Sequence, residues 1–498
     1  TTAMVGQDGA TGRDLLALER ARRATAALVH RSILGGSLVD AAHSDPVFGP
    51  LCTFFSHALP AFMRIDEVLG RERTRCDLRE LAAGYPGPGI DPDEIAVDLL
   101  FGADHMKAIC FTRDTIAFCR LPAGRAELVS LTRDIQKRQE NDPRGGTAYA
   151  GWAAGMGMFE PLVDLVEVIA GQRQHLAIIG DGPHTMIPFE ALTIDHGKGS
   201  RPLVDRFTVS YRPSLERSLP PAWMPQADNG RVLMVGDVDV PLVVGGRPED
   251  HEPGSPGAGQ VSGIVQLLPG TIREMSIVEE HFGSRVDVLR GDAATDARFC
   301  ASAPEYWIVH LATHGTARGP GRRSHVLYLS PSSGSNGEVD LEDILSLEMK
   351  GTLVVLPVCS SGQASLTDDV ESMAHAFLEA GAASVLAARW SVDDELAVEF
   401  LSVFYGALSK GETKRMAVQT AMRAMIARGH HSYNVWAGFQ LFGDGGALVP
   451  HDTAGTPGRE KPWMILLGIG TVLSMVLGYL WRRRPRRLAS HPDRERRD

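Results

Sequence analysis

From about residue 160 onward the chain alternates short apolar runs with amphipathic helical patterns, and this alternation restricts the fold more than any other feature. The runs are HLAIIG (175–180), RVLMVG (231–236), VDVL (286–289), YWIVHL (306–311), TLVVLPV (352–358) and ASVLAARW (383–390). Helical patterns such as IREMSIVEEHFG and DVESMAHAFLEAG stand between several of them. Continuously apolar strands are buried on both faces, so the pattern predicts an α/β fold with a mostly parallel sheet flanked by helices. The segment 240–263 is rich in Gly, Pro and acids and reads as a long mobile loop.

The flanks read differently. Residues 1–89 form a helical N-terminal region, with helical spacing over 13–83 and Asp14 as a first cap. No 34-residue repeat is visible, so a helical solenoid is not supported. GYPGPGIDPDE (84–94) is a turn-rich linker. Residues 90–144 then supply a hairpin, HMKAICF and TIAFCRL around TRD, and a helix near 125–140. Residues 450–462 are a polar linker. WMILLGIGTVLSMVLGYLW (463–481) carries no charge and spans about 28 Å as a helix, enough for a bilayer core. Trp463, Tyr479 and Trp481 stand at its ends, where interfacial aromatics belong. The tail, 482–498, holds eight arginines and three acids.

Composition excludes several functions. The net charge of −11 argues against a nucleic-acid partner for the body of the protein. The six cysteines (Cys52, Cys76, Cys110, Cys119, Cys300 and Cys359) form no CxxC and have no zinc-finger spacing. Neither a disulfide framework nor a metal or cofactor is expected. Five of the six read as small buried hydrophobes. Cys359 stands apart because it follows a strand.

His314 and Cys359 each lie just past the carboxyl end of an apolar strand, which is where catalytic groups gather in a parallel sheet. Consecutive strands usually pack together, so the two tips are expected to meet. An imidazole beside a thiol can generate the thiolate and later protonate a leaving amine. Gly315, free of a side chain, would let its N–H turn toward a substrate carbonyl, with the Cys359 N–H as a second oxyanion donor. The plainer alternative is a polar residue at a loop start and a packed cysteine. His310, four residues before His314, reads as a core residue on the same side of the strand. The HxxxH pair lacks the HExxH glutamate and sits in a β-rich flank, so it does not read as a zinc site.

At these residues the sequence resembles the CHAT family, caspase-like cysteine peptidases of the clan that holds caspases and separases. IVHLATHG (308–315) is similar to its histidine motif and LVVLPVCSSG (353–362) to its cysteine motif. AFLEAGAASVLAARWSVDD and YNVWAGFQLFGD resemble the segments that close the domain, and DGPHTMIPFEAL and YRPSLERSL its earlier half. The resemblance covers 145–449. It implies a caspase-like fold and a His314–Cys359 dyad acting on a protein substrate. In related peptidases an acid in a Trp-x-Val-x-Asp loop can bind a basic substrate side chain. Trp390, Val392 and Asp394 match that spacing, which makes Trp390, Asp393 and Asp394 substrate-binding candidates. Helix capping by Asp393 and Asp394 is the alternative. Departures are Pro357, where serine is usual, and Ser360-Ser361 in place of an acid-Thr pair. Pro357 predicts an irregular or edge-like strand end.

The expectation is a single-pass membrane protein, anchored through 463–481, that cleaves a protein substrate encoded nearby in a bacterial defence or cell-death pathway. An activator would bind the N-terminal region. By the positive-inside rule the arginine-rich tail would keep to the cytoplasm, and a single span would then place the peptidase domain on the other side. The family resemblance and the cysteine nucleophile point the opposite way, and the expectation follows them in facing the peptidase domain to the cytoplasm. A catalytically silent CHAT scaffold that recruits partners to the membrane, and a cysteine-dependent acyltransferase, are the alternatives.

Overall fold

The computed structural model describes residues 75–77, 90–101, 105–113, 115–142, 144, 156–180, 183–195, 200–213, 230–238, 243–244, 261–262, 269–317, 325–332, 334–349, 351–357 and 373–448. All belong to the first of two units of the chain, Thr1–Leu448. The candidate membrane span 463–481 and the Arg-rich tail lie outside the described residues. Among the described residues no helix is long and apolar enough to cross a membrane.

Twelve of the described strands join one sheet. In chain order these are β1 (Arg75–Asp77), β2 (Glu94–Phe101), β3 (Met106–Phe111), β4 (Thr115–Leu121), β5 (His175–Ile179), β8 (Thr208–Arg212), β9 (Val232–Gly236), β12 (Val286–Arg290), β13 (Ile308–Ala312), β17 (Leu353–Leu356), β18 (Ser384–Ala388) and β19 (Phe439–Gly443). The remaining strands form small sheets: β6 (Thr193–Asp195) with β7 (Ser200–Pro202), β10 (Val243–Val244) with β11 (Val261–Ser262), and β14 (His314–Ala317) with β15 (His325–Tyr328) and β16 (Glu338–Asp340). The β10–β11 pair ties together the two ends of the loop read as mobile.

The order across the large sheet is β1-β4-β3-β2-β5-β8-β19-β18-β17-β13-β9-β12. Strands β12, β9, β13, β17 and β18 run parallel to one another. β19 pairs antiparallel with β18 and parallel with β8, so a second parallel block, β19-β8-β5-β2, runs the other way. The predicted hairpin is β3–β4, and β1 to β4 continue the second block as an antiparallel edge. Residues 75–77 correct the helical reading of 13–83 locally. Their backbone adds to the edge of β4, and that pairing overrides helical spacing. The rest of 13–83 lies outside the described residues. Strands β2 and β8 went unread because EIAVDLLF and TVSYR carry charged or polar residues that their neighbours in the sheet bury.

Helices cover both faces. The ones that matter here are α1 (Arg125–Asn141), α2 (Glu160–Ala170), α3 (Pro269–Phe282), α4 (Met373–Glu379), α5 (Asp394–Leu408) and α6 (Lys414–Ala427). Phe439 of β19 stacks on Phe400 of α5, with ring centroids 4.5 Å apart. Phe442, on the opposite face by strand alternation, meets His375 of α4 edge-on at 5.4 Å. Two of the cysteines read as buried hydrophobes pack that way, while Cys300 is only partly buried. Cys110 and Cys119 are buried in β3 and β4. Burial, with Cys119 nearby, holds the Cys110 thiol well above its usual range. Cys300 is pushed up to about 11 by burial and by Asp343 and Asp296.

The seam between the two parallel blocks holds a buried charge. Arg389, just past β18, is fully buried. Its Nη2 donates to Glu190 Oε2 at 3.2 Å and to the Tyr211 hydroxyl of β8 at 2.9 Å. Tyr211 donates in turn to Glu190 at 3.0 Å. The guanidinium also lies over the rings of Tyr211 and Trp390, 5.1 and 5.7 Å from their centroids. Burial raises the pKa of Glu190, and Arg389 opposes that rise. Removing one partner of such a pair leaves an uncompensated charge in the core. Arg389→Leu should therefore lower unfolding free energy by about 3–5 kcal/mol, read as a shifted urea midpoint, and Arg389→Leu with Glu190→Gln should recover part of the loss.

Candidate active site

In the first parallel block, β9 connects outward to β12 through α3, and the chain then returns to lay β13 on the other side of β9. The strand order therefore reverses at β9. The carboxyl ends of β9 and β13 flank this switch point, the place where open α/β sheets bind ligands. β9 ends at Gly236 and β13 at Ala312, which are directly paired.

The backbone there has little slack. A methyl group on Gly236 would lie 2.7 Å from Thr271 Cγ2 and 3.0 Å from the Ala312 carbonyl oxygen, so glycine lets the first turn of α3 rest on the strand ends. Asp237 follows with φ 52°, the one non-glycine residue at positive φ among the described residues. Its carbonyl accepts from the Gly291 N–H at 2.8 Å, and its carboxylate lies 3.2 Å from Arg290. These contacts hold a left-handed conformation that is uncommon for a non-glycine residue.

His314 is half-buried at this edge. It does not continue β13, as the reading of His310 and His314 on one strand face supposed. Thr313 separates them, its hydroxyl donating to the Tyr328 carbonyl, and His314 opens β14 in a different sheet, opposite Tyr328. Gly315 sits in β14 opposite Leu327.

His310 is fully buried, as expected of a core residue. Both ring nitrogens are engaged: Nδ1 lies 2.7 Å from the Tyr405 hydroxyl of α5, and Nε2 2.7 Å from Glu274 of α3. With Glu274 ionised, Nε2–H donates to the carboxylate and Nδ1 accepts from the phenol, so all three groups are satisfied. Burial, with Glu274 beside it, holds the Tyr405 phenol well above its usual range. The strand leading to His314 is thus bolted to both helices on that face.

Cys359 lies outside the described residues. Its strand does not. β17 pairs with β13 in parallel, with Ile308 opposite Leu353, Val309 opposite Val354 and His310 opposite Val355. Pro357 follows the last ladder residue, Leu356, which pairs with Ala387 of β18. The expectation of an edge-like strand is corrected: β17 is central, and Pro357 escapes the ladder by standing one residue beyond it.

The remaining candidates sit between β18 and α5. Trp390 is buried, and its indole N–H donates to the Asn434 carbonyl at 3.0 Å. Asp393 is the N-cap of α5, its Oδ1 accepting from the Glu395 N–H at 3.1 Å. Asp394 is exposed and lies against α3: a methyl group on Gly270 would be 3.1 Å from Asp394 Cβ. The first turn of α3 therefore touches the β9 and β13 tips on one side and Asp394 on the other. Sequence reasoning missed Arg144, whose Nε donates to Asp393 Oδ2 at 2.8 Å, and nothing in its local sequence marks it. It also passed over Arg389, although a charge inside the apolar run ASVLAARW demands a buried partner. Among the described residues no group of three or more His, Cys, Asp or Glu is placed to hold a metal.

The family model described as the CHAT domain matches residues 148–444, more than half of the chain. The chain belongs to the CHAT family. Tetratricopeptide repeat protein 28 of Homo sapiens is 26% identical over 312 residues, covering 55% of this chain and 12% of that protein. The Mus musculus counterpart is 25% identical over 311 residues, with the same shares. The CHAT chain thus spans 12% of the length of these curated relatives. Among solved structures, the Arg-specific cysteine proteinase gingipain R is similar at a TM-score of 0.37 and 12% identity, over 64% of this chain and 76% of that one. The Saccharomyces cerevisiae separase–securin complex is similar at a TM-score of 0.42 and 9% identity, over 70% and 30%.

The His310 clamp has a direct test. His310→Leu leaves Glu274 and the Tyr405 hydroxyl unpaired in the core and should cost about 2–4 kcal/mol of stability in urea unfolding. An unchanged midpoint would mean that the clamp carries no load.

Proposed function

We propose that this CHAT protein is a membrane-anchored cysteine endopeptidase that uses His314 and Cys359. The observation that carries the reading is register. β13 and β17 are hydrogen-bonded neighbours, paired so that Ile308 meets Leu353 and His310 meets Val355. In the sequence His314 follows the end of β13 by two residues and Cys359 follows the end of β17 by three. The strand order reverses at β9, the neighbour of β13, and such a switch point is where open α/β sheets bind ligands, which supports the reading.

In this reading the Cys359 thiol gives its proton to the His314 imidazole, and the thiolate sulfur bonds to the scissile carbonyl carbon. The N–H groups of Gly315 and Cys359 hold the oxyanion. His314 passes the proton to the departing amine as the C–N bond breaks, leaving a thioester. It then takes a proton from water, which attacks the thioester, and returns that proton to sulfur. The substrate is a protein, encoded nearby in a defence or cell-death setting. Residues 463–481 hold the enzyme in the membrane with its peptidase domain facing the cytoplasm, and the N-terminal region receives an activator.

An electrophilic peptide probe should label Cys359 in the parent chain and not after His314→Ala, and Cys359→Ala should abolish cleavage. Persistent cleavage by Cys359→Ala ends the peptidase reading. Labelling without hydrolysis, with a transferred acyl group found by mass spectrometry, would favour an acyltransferase. Binding of partners without labelling by an activated chain would favour the silent scaffold. Removing 463–481 should move the protein from the carbonate-washed membrane pellet to the supernatant. A truncated protein still in the pellet would discard the anchor.

A further inference from the structure

His310 sits where the elements that border the strand tips come together. α3 and α5 run side by side in the same direction. A methyl group on Gly270 would lie 3.1 Å from Asp394 Cβ near their starts, and Phe282 meets Tyr405 edge-on at 5.9 Å near their ends. The His310 ring bridges them, 2.7 Å from the Tyr405 hydroxyl and 2.7 Å from the Glu274 carboxylate. His310 also stands on a rung that pairs β13 with β17, opposite Val355. One side chain thus gauges both helices, from the strand that leads to His314 and beside the strand that leads to Cys359.

The span from that ring to His314 has little slack. Leu311 and Ala312 pair with Val235 and Gly236 of β9, and the Thr313 hydroxyl is tied to the Tyr328 carbonyl. On α3, Thr271 and Glu274 are three residues apart and share a helix face. Thr271 lies against Gly236 while Glu274 holds the ring. An apolar side chain at 310 would pack without direction and tolerate sliding. Three buried polar groups satisfied in one arrangement do not. A slide of about 1 Å breaks a hydrogen bond and leaves a buried donor or acceptor unpaired.

We propose that His310 is a positioning residue: through Glu274 and Tyr405 it holds the tip of β13 so that the His314 imidazole is aligned with the Cys359 thiol. This rests on the peptidase reading above and goes beyond the clamp's part in stability. An aligned imidazole favours the thiolate, so Cys359 ionises below the ordinary free-thiol value of about 8.5. A loosened tip gives up that advantage while the fold persists.

The test follows alkylation of Cys359 by iodoacetamide across pH in the full chain, read by mass spectrometry of the peptide that carries it. The parent's rate should rise with a pH midpoint below about 8.5. Tyr405→Phe removes one hydroxyl and keeps the ring. It should raise the pH midpoint by about 0.5–1 unit, the scale of one hydrogen bond, and His310→Leu should raise it further. Leu128→Ala, in the buried face of α1, lowers stability elsewhere and should leave the pH midpoint in place, because a smaller folded fraction changes the amplitude alone. A pH midpoint unchanged or lowered in Tyr405→Phe overturns the proposal, as does an equal rise in Leu128→Ala. A parent chain whose Cys359 ionises as a free thiol removes the peptidase reading and the proposal together. A low parental value that the clamp variants do not move removes the proposal alone.

Discussion

Parallel pairing of β13 between β9 and β17 is the constraint on which the rest of the CHAT fold hangs. A parallel strand cannot return by a tight turn, so each neighbour is reached through a crossover that carries a helix or loop over a face of the sheet. Because the chain leaves β9 in one direction and comes back on its other side, those crossovers part at the carboxyl ends of β9 and β13. The opening is a product of topology, and the residues that line it need only be the ones next along the chain.

Rigidity at that opening comes from beneath. His310 ties the middle of β13 to α3 and α5 through two hydrogen bonds, and Gly236 lets α3 sit directly on the strand ends. The same α3 turn borders Asp394. One helix terminus thus references both the strand tip before His314 and the loop that starts α5. His314 itself belongs to a separate antiparallel sheet, fixed to the frame by Thr313 and the Tyr328 pairing.

Much of this frame was legible in the sequence. Strands β5, β9, β13, β17 and β18 are continuous apolar runs, and burial on both faces is what such runs mean. The hairpin β3–β4 and helix α1 were legible from alternation and helical spacing. What escaped was polar residues spent on the interior. Glu94 and Arg212 pair with each other at 2.7 Å inside β2 and β8, so neither strand looks apolar on paper. His314 was expected on the same strand face as His310, and no local propensity reports that the chain changes sheets at Thr313. Arg144 could not have been found, because its partner lies far along the chain and only the folded structure puts them side by side.

The buried seam at Arg389 has a consequence for how the molecule comes apart. The two blocks of the sheet run in opposite directions and meet at β18 and β19, a place where a large sheet could split into separately melting halves. The guanidinium reaches across that boundary to Glu190 and Tyr211. Either half opening alone would strand a charge in a half-dry interior, a species costlier than both the closed sheet and the solvated chain. The boundary most visible in the topology therefore carries an added penalty against opening by itself, which couples the two blocks through one buried charge.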